Sequence, residues 1–211
     1  MNKDKNIEKI NILTLGDSSV GKTSFILRYT EEAFTEVYLS TMGIDYKSKI
    51  LKINNKKYMV NFFDTAGQEK YRSISFNVIK NAHGVILMYD ITNKSSFDSI
   101  TKWMGDIRNA KGNDFPVLLL GNKIDNEEKR QVSKNQGEQL AQQYGIDFFE
   151  TSNKVGTNIN ESSLAIINKI IEEREKAKSL AKDYEILNDK NTIKLDRNAG
   201  KGKKKKCNCK K

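Results

Sequence analysis

The sequence has very few of the residues that cross-link a protein, and it has no long apolar run. Its 211 residues include two cysteines, Cys207 and Cys209, and one histidine, His83. Two cysteines separated by one residue, with the histidine far away, argue against both a structural disulfide and a metal site. No stretch approaches the roughly 18 apolar residues of a transmembrane helix, and Met1 to Lys5 lack the apolar region of a signal peptide. Because both are absent, we expect the body of the protein to be cytosolic. Residue 2 is Asn rather than Gly, which also excludes N-myristoylation.

Acidic residues are scarce in only one part of the chain. The formal net charge is +10, from 37 Lys and Arg against 27 Asp and Glu. Residues 190–211 contain ten Lys or Arg against one Asp, which leaves a charge of only +1 on residues 1–189. The basic character therefore belongs to the tail, which argues against a nucleic-acid-binding face on the domain. Residues from 190 onward form a run rich in Lys, Asn and Gly, and we expect this run to be disordered.

Apolar segments of strand length alternate with segments of helical periodicity. Asn54 and Asn55 separate two strand-like runs, and because Asn tolerates positive φ, the pair predicts the turn of a β-hairpin. Ser133 and Gln136 have the spacing of a capping box, at the start of a helix that Gly145 would end. The predicted strands are residues 10–15, 44–53, 57–64, 83–89, 115–120 and 146–149, and the predicted helices are residues 23 to about 33, 95–111, 133–144 and 158 onward, with residues 64–81 ambiguous.

Six strands alternating with about five helices predict an α/β fold. Four of the strands are apolar at nearly every position, which is typical of strands that are buried on both faces of a sheet. We therefore expect a mostly parallel, six-stranded sheet with helices on both faces. In such folds ligands bind at the carboxyl ends of the strands.

The stretch from Gly16 to Thr23, GDSSVGKT, matches the phosphate-binding pattern G-x-x-x-x-G-K-[S/T]. It lies between a predicted buried strand and a predicted helix, which is the context that the pattern needs. The two glycines let the backbone turn tightly, so that successive N–H groups and the helix N-terminus can hold phosphate oxygens. Lys22 would add a positive charge at the outer phosphates, and the Thr23 hydroxyl would ligate Mg²⁺. The alternative is an ordinary glycine-containing turn between a strand and a helix.

A second motif, DTAGQ, starts at the end of the third strand. Asp64 would stand at the carboxyl edge of the sheet beside the phosphate loop, where it can hold Mg²⁺ through water. Gly67 permits a close backbone approach to the outer phosphate, and Gln68 can orient an attacking water. Alone, an Asp-x-x-Gly sequence is usually a strand-ending turn. Its position one hairpin downstream of Lys22 favours the functional interpretation.

Two further motifs predict that the bound base is guanine. The fifth strand ends in Asn122-Lys123-Ile124-Asp125, and the sixth ends near Asn153. The Asp125 carboxylate can accept hydrogen bonds from both N–H groups on one edge of guanine, whereas adenine would leave it unpaired at a cost of about 1–3 kcal/mol or more. Lys123 can cover the plane of the base, Asn122 can brace the neighbouring loops, and backbone amides near Asn153 can meet the guanine carbonyl. A solvated charged loop is the alternative for one isolated motif, but four motifs in order favour a nucleotide site.

Together these motifs resemble those of the small GTPases of the Ras superfamily, and most closely those of the Rab proteins. The resemblance covers residues 7 to about 175, and residues 42–46 and 71–74 are similar to segments typical of Rab proteins. The family usually has Trp where this chain has Phe63, Ala where it has Asn153, and Tyr-Tyr-Arg-Gly-Ala where it has residues 78–82. The first and third differences lie on what would be the effector-reading surface. The matching motifs are GDSSVGKT (16–23), Thr41, DTAGQE (64–69), NKID (122–125) and ETSNK (150–154).

The resemblance implies a GTPase domain over residues 7–175, after a short extension of residues 1–6 and before a hypervariable, mostly disordered basic tail of residues 176–211. It implies that Phe34 lies edge-on against the base, and that Thr41 binds Mg²⁺ and the γ-phosphate only in the GTP state. Gln68 is the expected catalytic residue, and Thr23, Thr41 and Asp64 are the expected Mg²⁺ ligands. The residues expected to contact GTP or GDP are Asp17, Ser18, Ser19, Val20, Gly21, Lys22, Thr23, Ser24, Phe34, Tyr38, Ser40, Thr41, Gly67, Asn122, Lys123, Asp125, Ser152, Asn153 and Lys154.

The implied function is a guanine-nucleotide-dependent switch that hydrolyses GTP and recruits effectors to membranes in vesicle trafficking. Residues 34–42 contain no Arg, so hydrolysis should be slow until an activating protein supplies one. The expected partners are that activating protein, an exchange factor, a GDP-dissociation inhibitor or escort protein, effectors and the membrane surface, with no nucleic acid. The alternatives are an ATPase or kinase, which the guanine motif disfavours, a nucleotide-binding scaffold without significant hydrolysis, and polyanion binding through the tail.

By the same resemblance, Cys207 and Cys209 are expected to carry prenyl groups and to bring the protein reversibly onto the cytosolic face of an endomembrane. One lipid chain anchors a protein only marginally, so a second signal is needed. The neighbouring Lys201 and Lys203 to Lys206 would each add up to about 1 kcal/mol at an anionic leaflet. The chain continues through Lys210-Lys211, whereas Rab proteins of the Cys-x-Cys type usually end at the second cysteine, and a C-a-a-X signal is absent. Binding through the lysines alone is the alternative.

Overall fold

The structure is a computed structural model of the chain, and it describes residues 7–31, 44–65 and 79–198. Strands and helices alternate along these residues as the sequence predicts. The elements are β1 Ile7–Leu15, α1 Lys22–Glu31, β2 Ile44–Ile53, β3 Lys56–Thr65, β4 Gly84–Asp90, α2 Lys94–Asp98, α3 Ile100–Lys111, β5 Val117–Asn122, a 3-10 helix Ile124–Lys129, α4 Lys134–Tyr144, β6 Asp147–Thr151 and α5 Ile159–Asn198.

The six strands form one sheet in the order β2-β3-β1-β4-β5-β6. Strand β2 runs antiparallel to β3, and every other neighbouring pair is parallel. The predicted α/β fold with a six-stranded, mostly parallel sheet is therefore confirmed. Because five strands are parallel, their carboxyl ends meet at one edge of the sheet, which is the edge where the predicted motifs lie.

Helices cover both faces of the sheet, which explains why its central strands are apolar throughout. All residues of β4 and β5 are buried. Val85 and Leu87 of β4 belong to a hydrophobic cluster with Ile107 of α3. Gly84 points to the opposite face, because side chains alternate along a strand, and a Cβ atom there would lie 2.6 Å from Ile170 of α5.

Local chemistry sets several ends of these elements as the sequence predicts. Asn54 and Asn55 adopt φ of 48° and 62° in the turn between β2 and β3, so the predicted hairpin is confirmed. The Ser133 hydroxyl accepts from the Gln136 N–H, and the Gln136 side chain accepts from the Ser133 N–H, which completes the predicted capping box of α4. Gly145 ends that helix at φ 68°.

The predicted helix over residues 95–111 is two helices, α2 and α3, which meet at Ser99. The Asn93 side chain caps α2 by accepting from the Ser96 N–H. The Ser99 hydroxyl donates to the Ser95 carbonyl at 3.1 Å, and such a bond from Ser to the preceding turn bends a helix. Because a hydrophobic pattern does not contain this side-chain bond, the sequence predicted one continuous helix.

The tail also differs from the prediction that it is mostly disordered from residue 176, because helix α5 continues to Asn198. No Gly or Pro occurs between Gly156 and Gly200, and the intervening residues are rich in Glu, Lys, Ala, Leu and Ile. A helix therefore meets no residue that would end it. The chain divides into two units, Met1–Ile170 and Ile171–Lys211, and the predicted domain limits at residues 6 and 175 stay predictions. Within the described part of the chain, no helix has the length and apolarity needed to cross a bilayer.

Candidate nucleotide-binding site

The phosphate loop, Gly16–Thr23, leaves β1 and enters α1, and both of its glycines are required by their conformation and their surroundings. Gly16 adopts φ 140° and Gly21 adopts φ 105°, a region that residues with a side chain rarely adopt. A Cβ atom on Gly16 would lie 2.2 Å from the Met88 carbonyl oxygen. A Cβ atom on Gly21 would lie 2.4 Å from Nδ2 of Asn122. The loop therefore runs close against the ends of β4 and β5.

Lys22 folds back over the loop that precedes it. Its side chain is buried, and its Nζ donates to the carbonyl oxygens of Gly16 at 3.0 Å and Asp17 at 2.7 Å. These bonds hold a positive charge at the mouth of the loop, beside the first N–H groups of α1. A positive charge and a helix N-terminus both attract an anion, so this arrangement suits an anion such as phosphate.

Thr23 and Asp64 bring two oxygen atoms together beside the phosphate loop. The Thr23 hydroxyl donates to Oδ2 of Asp64 at 2.5 Å, which connects the start of α1 to the end of β3. Among the described residues, no group of three or more His, Cys, Asp or Glu forms a metal cluster. A divalent cation here would therefore be held by one hydroxyl and, directly or through water, by one carboxylate, with phosphate and water oxygens in the rest of its shell. That mixed oxygen shell is the one that Mg²⁺ prefers, so these residues fit Mg²⁺.

Asp125 is held at the other end of the same edge by Ser152. Asp125 lies in the 3-10 helix that follows β5, and its Oδ1 accepts from the Ser152 hydroxyl at 2.5 Å. The Ser152 hydroxyl in turn accepts from the Val155 N–H at 3.1 Å. The loop after β6 thus fixes one carboxylate oxygen of Asp125, and the carboxylate cannot turn freely.

Lys123 is anchored by Asp90, a residue that the sequence motifs do not include. Lys123 adopts φ 71°, and its Nζ lies 2.7 Å from Oδ2 of Asp90 at the end of β4. The other carboxylate oxygen of Asp90 accepts from the N–H and the hydroxyl of Thr92. Asp90 could have been identified from the sequence, because it is an acidic residue at the end of a fully buried strand at this edge of the sheet.

Asn122 and Asn153 connect the phosphate loop to the ends of β5 and β6. Nδ2 of Asn122 donates to the Val20 carbonyl at 2.8 Å, and its Oδ1 accepts from the Asn153 N–H at 3.3 Å. Nδ2 of Asn153 donates to the Gly21 carbonyl at 2.8 Å. Both side chains are buried. The two amide groups, rather than water molecules, therefore hydrogen-bond to the loop on the side that faces β5 and β6.

Trp103 of α3 contacts the phosphate loop at Asp17. Its indole N–H donates to Oδ1 of Asp17 at 2.9 Å. The helical periodicity of residues 95–111 places Trp103 on a buried face, but it contains no information about the partner of the indole N–H. The sequence motifs therefore do not predict this contact.

Arg130 supports the start of the ETSNK motif. It donates to both carboxylate oxygens of Glu150, at 2.6 Å and 3.2 Å, and to the Val132 carbonyl at 2.9 Å. Hydrogen bonds to Glu127 and Glu150 raise the pKa of Arg130 further above its ordinary value, so the guanidinium stays charged. The bidentate pair fixes the end of β6, from which the next residues reach Asp125.

The described site residues lie along the carboxyl edge of the sheet, from the Thr23 and Asp64 pair to the loop after β6. Ser18, Ser19 and Lys154 are exposed there, and Ser24 lies in the first turn of α1. The predicted site residues that lie outside the described residues are Phe34, Tyr38, Ser40, Thr41, Gly67, Gln68, Cys207 and Cys209.

A glycine-framed loop between β1 and α1, with the Thr23 and Asp64 oxygens beside it, is the arrangement of a nucleotide-binding protein of the phosphate-loop class. Residues 11–172 match the family model of the Ras family. Ras-related protein Rab-8B of Pongo abelii is 44% identical over 160 residues, which are 76% of this chain and 77% of that protein. Rab-10 of Diplobatis ommata is 42% identical over 161 residues (76% and 80%), and human Rab-3A is 43% identical over 170 residues (80% and 77%).

The chain belongs to the Ras family, and within it to the Rab small GTPases. It is a switch of vesicle trafficking that binds and hydrolyses GTP. Proteins of this family bind GTP or GDP together with Mg²⁺ and act through regulators and effectors.

Proposed function

We propose that the carboxyl edge of the sheet holds GTP or GDP with its phosphates on the Gly16–Thr23 loop and its base against Asp125. The observation that carries this proposal is that the Thr23 and Asp64 pair and the Asp125 and Ser152 pair lie on one edge, joined through Asn122. An oxygen pair suited to Mg²⁺ and a carboxylate suited to guanine thus belong to one continuous site.

In the phosphate half of the site, Lys22 and the N–H groups at the start of α1 bind the phosphate oxygens. Thr23, Asp64 and Thr41 hold Mg²⁺, with Asp64 acting through water. Bound there, Mg²⁺ supplies neutralising charge to the outer phosphates. Gln68 orients the water that attacks the γ-phosphate. Thr41 and Gln68 are assigned from the motifs that this chain shares with its family.

In the base half, the Asp125 carboxylate accepts hydrogen bonds from the two N–H groups on one edge of guanine. Ser152 keeps the carboxylate turned toward the base, since its hydroxyl holds Oδ1 at 2.5 Å. The stem of Lys123 covers one face of the base while Asp90 fixes its ammonium group at 2.7 Å. Adenine presents an acceptor where Asp125 needs a donor, so the site selects guanine.

The substitution Asp125→Asn tests this assignment. The amide group that it introduces would donate where guanine also donates, so the affinity for GDP should fall by at least about tenfold. Xanthosine diphosphate presents a carbonyl at that position, and its affinity should rise. Both affinities can be measured by competition against a labelled nucleotide.

The matched control is Asp147→Asn, at the amino end of β6. Asp147 pairs with Lys169 at 3.2 Å on the surface and lies away from the carboxyl edge. This control should leave both affinities unchanged. Unchanged GDP affinity in the Asp125 variant would contradict the assignment of the base.

We also propose the finer features of regulation and localisation. An exchange factor, an activating protein, and a GDP-dissociation inhibitor or escort protein act on the domain, and effectors read its GTP form. Prenyl groups on Cys207 and Cys209 bring the protein to the cytosolic face of an endomembrane. Two cysteines inside a segment of charge +9 support this anchor, because lipid and basic residues together provide the two signals that stable binding needs.

A further inference from the structure

We infer that the Asn153 side chain is a positioning residue, which orients the peptide groups of the phosphate loop toward the phosphates. This inference rests on the proposed nucleotide site. Its basis is a pair of contacts on consecutive carbonyl oxygens of the loop. Nδ2 of Asn122 donates to the Val20 carbonyl at 2.8 Å, and Nδ2 of Asn153 donates to the Gly21 carbonyl, also at 2.8 Å.

The geometry of the peptide bond converts these two contacts into an orientation of N–H groups. A trans peptide group is planar, and its C=O and N–H point in opposite directions. The Val20 carbonyl shares a peptide plane with the Gly21 N–H, and the Gly21 carbonyl shares one with the Lys22 N–H. Because both carbonyls are held against the strand ends, the N–H groups of Gly21 and Lys22 are turned the other way, into the phosphate loop.

The Gly21 carbonyl has a second role that makes its position important. It also accepts from the Phe25 N–H at 2.9 Å, which is the first hydrogen bond of α1. Asn153 therefore fixes the end of the loop and the start of the helix through one atom. Its own backbone N–H donates to Oδ1 of Asn122 at 3.3 Å, so the two asparagines act as one unit.

The burial of Asn153 supports a role for its side chain beyond filling space. Only 4% of the residue is exposed, and its Oδ1 has no hydrogen-bond partner among the described residues. The reverse amide orientation would place this oxygen against the Gly21 carbonyl oxygen, where the two would repel. A buried polar atom without a partner is unfavourable, and an Ala at this position would avoid it. The hydrogen bond to Gly21 is the contact that Asn153 adds.

Asn153→Ala, compared on GDP and GMP, tests the inference. The two nucleotides share the base and ribose, and only GDP carries the outer phosphate, so their affinity ratio isolates the phosphate loop. We expect the affinity for GDP to fall about 2- to 10-fold, as for the loss of one hydrogen bond. The affinity for GMP should stay the same. The variant should fold, because Ala is smaller than Asn and removes a buried oxygen that has no hydrogen-bond partner among the described residues.

A second variant and a control define the outcome. Asn153→Asp keeps the size of the side chain but puts a carboxylate against the Gly21 carbonyl, so it should weaken GDP binding more than Ala does. Asn61→Ala removes a part-buried amide hydrogen bond of 2.9 Å to Asn11, inside the sheet rather than at its carboxyl edge, and should change neither affinity.

Two results would overturn the inference. One is an unchanged GDP affinity in both Asn153 variants, and the other is an equal loss for GDP and GMP, which would assign the effect to the base loop. The wild-type protein separates this inference from the proposed function. If it binds GDP no better than ADP, the nucleotide assignment itself fails, whatever the Asn153 variants do.

Discussion

Tyr29, near the end of α1, connects that helix to the edge of the sheet. Its ring packs edge-on against Phe62 of β3, with ring centroids 5.2 Å apart. The ammonium group of Lys49 lies 4.5 Å from the centroid of the Tyr29 ring and also donates to the Tyr29 carbonyl at 2.7 Å. Burial raises the pKa of Tyr29 from 10.0 to about 12. The packing that joins α1 to β2 and β3 therefore also keeps the phenol neutral up to a higher pH than in an exposed tyrosine.

Because of this raised pKa, the stability of the folded protein depends on pH in the alkaline range. The folded state binds the phenolic proton more tightly than the unfolded state, so the stabilisation is complete below pH 10 and is lost as the pH rises toward 12. Denaturant unfolding of the wild type and Tyr29→Phe across this range should show a steeper loss in the wild type. Parallel curves for the two proteins would contradict the prediction.

Single residues also show how far the site can be predicted from sequence. The identities of Lys22, Thr23, Asp64 and Asp125 follow from motif spacing, because each motif starts where a strand ends. The sequence did not predict the residues that support the motifs, since these supports come from elements distant in the chain. Asp90 pairs with Lys123, Trp103 donates to Asp17 and Arg130 donates to Glu150. No local pattern connects Trp103 to Asp17, which lies 86 residues earlier.

At the scale of whole elements, α4 packs closely on the sheet because of one glycine. A Cβ atom on Gly137 would lie 2.4 Å from Phe148 of β6 and 2.5 Å from the Tyr89 hydroxyl of β4. Gly105 of α3 is also in a helix interior, but a Cβ atom there would have no neighbour within 4 Å. The two helices thus contain a closely packed and an open glycine.

Gly137→Ala and Gly105→Ala should therefore have different effects on stability. Ala is favoured over Gly in a helix by about 1 kcal/mol, and Gly105→Ala should gain up to that amount. At Gly137 the same gain is opposed by overpacking, which costs about 1–3 kcal/mol, so the net effect should be destabilising or at best neutral. Thermal or denaturant unfolding measures both, and a gain in stability at Gly137 equal to that at Gly105 would contradict the packing.

Which elements were predictable depended on how local their causes are. The Asn54-Asn55 turn and the capping box of α4 follow from neighbouring residues, and both were predicted correctly. The break at Ser99 depends on a side-chain bond, so the hydrophobic pattern did not contain it, and the 3-10 helix after β5 is only six residues long, too short to show a hydrophobic period. The continuation of α5 to Asn198 follows from the absence of Gly and Pro between Gly156 and Gly200, whereas the low hydrophobicity of the tail favours disorder.

At the scale of the whole molecule, the net positive charge is concentrated in the tail rather than in the domain. Residues 190–211 carry a formal charge of +9, whereas residues 1–189 carry +1. Both cysteines lie in the basic segment, at positions 207 and 209. The proposed attraction to an anionic membrane and the proposed lipid anchor therefore fall in one short region, and mutation can separate them.

Cys207→Ser with Cys209→Ser, with every lysine kept, should release the protein from membranes at physiological salt. Lysines alone act through a screened attraction, whereas prenyl groups insert into the apolar layer. Fractionation of cells that express the tagged protein measures this. The matched variant replaces Lys203 to Lys206 with Gln and keeps both cysteines, and it should lose only part of the membrane-bound fraction. Full membrane binding without the cysteines would show that lipid is not the anchor.

The contact between Trp103 and Asp17 also gives the protein a natural optical probe. Trp103 is the only tryptophan in the chain, and its N–H donates a hydrogen bond to Asp17 of the phosphate loop. Indole emission responds to the polarity and hydrogen bonding around the ring, and no second tryptophan adds a background signal. Rearrangement of the loop during nucleotide exchange can therefore be followed by intrinsic fluorescence, in unlabelled protein and with unmodified nucleotides.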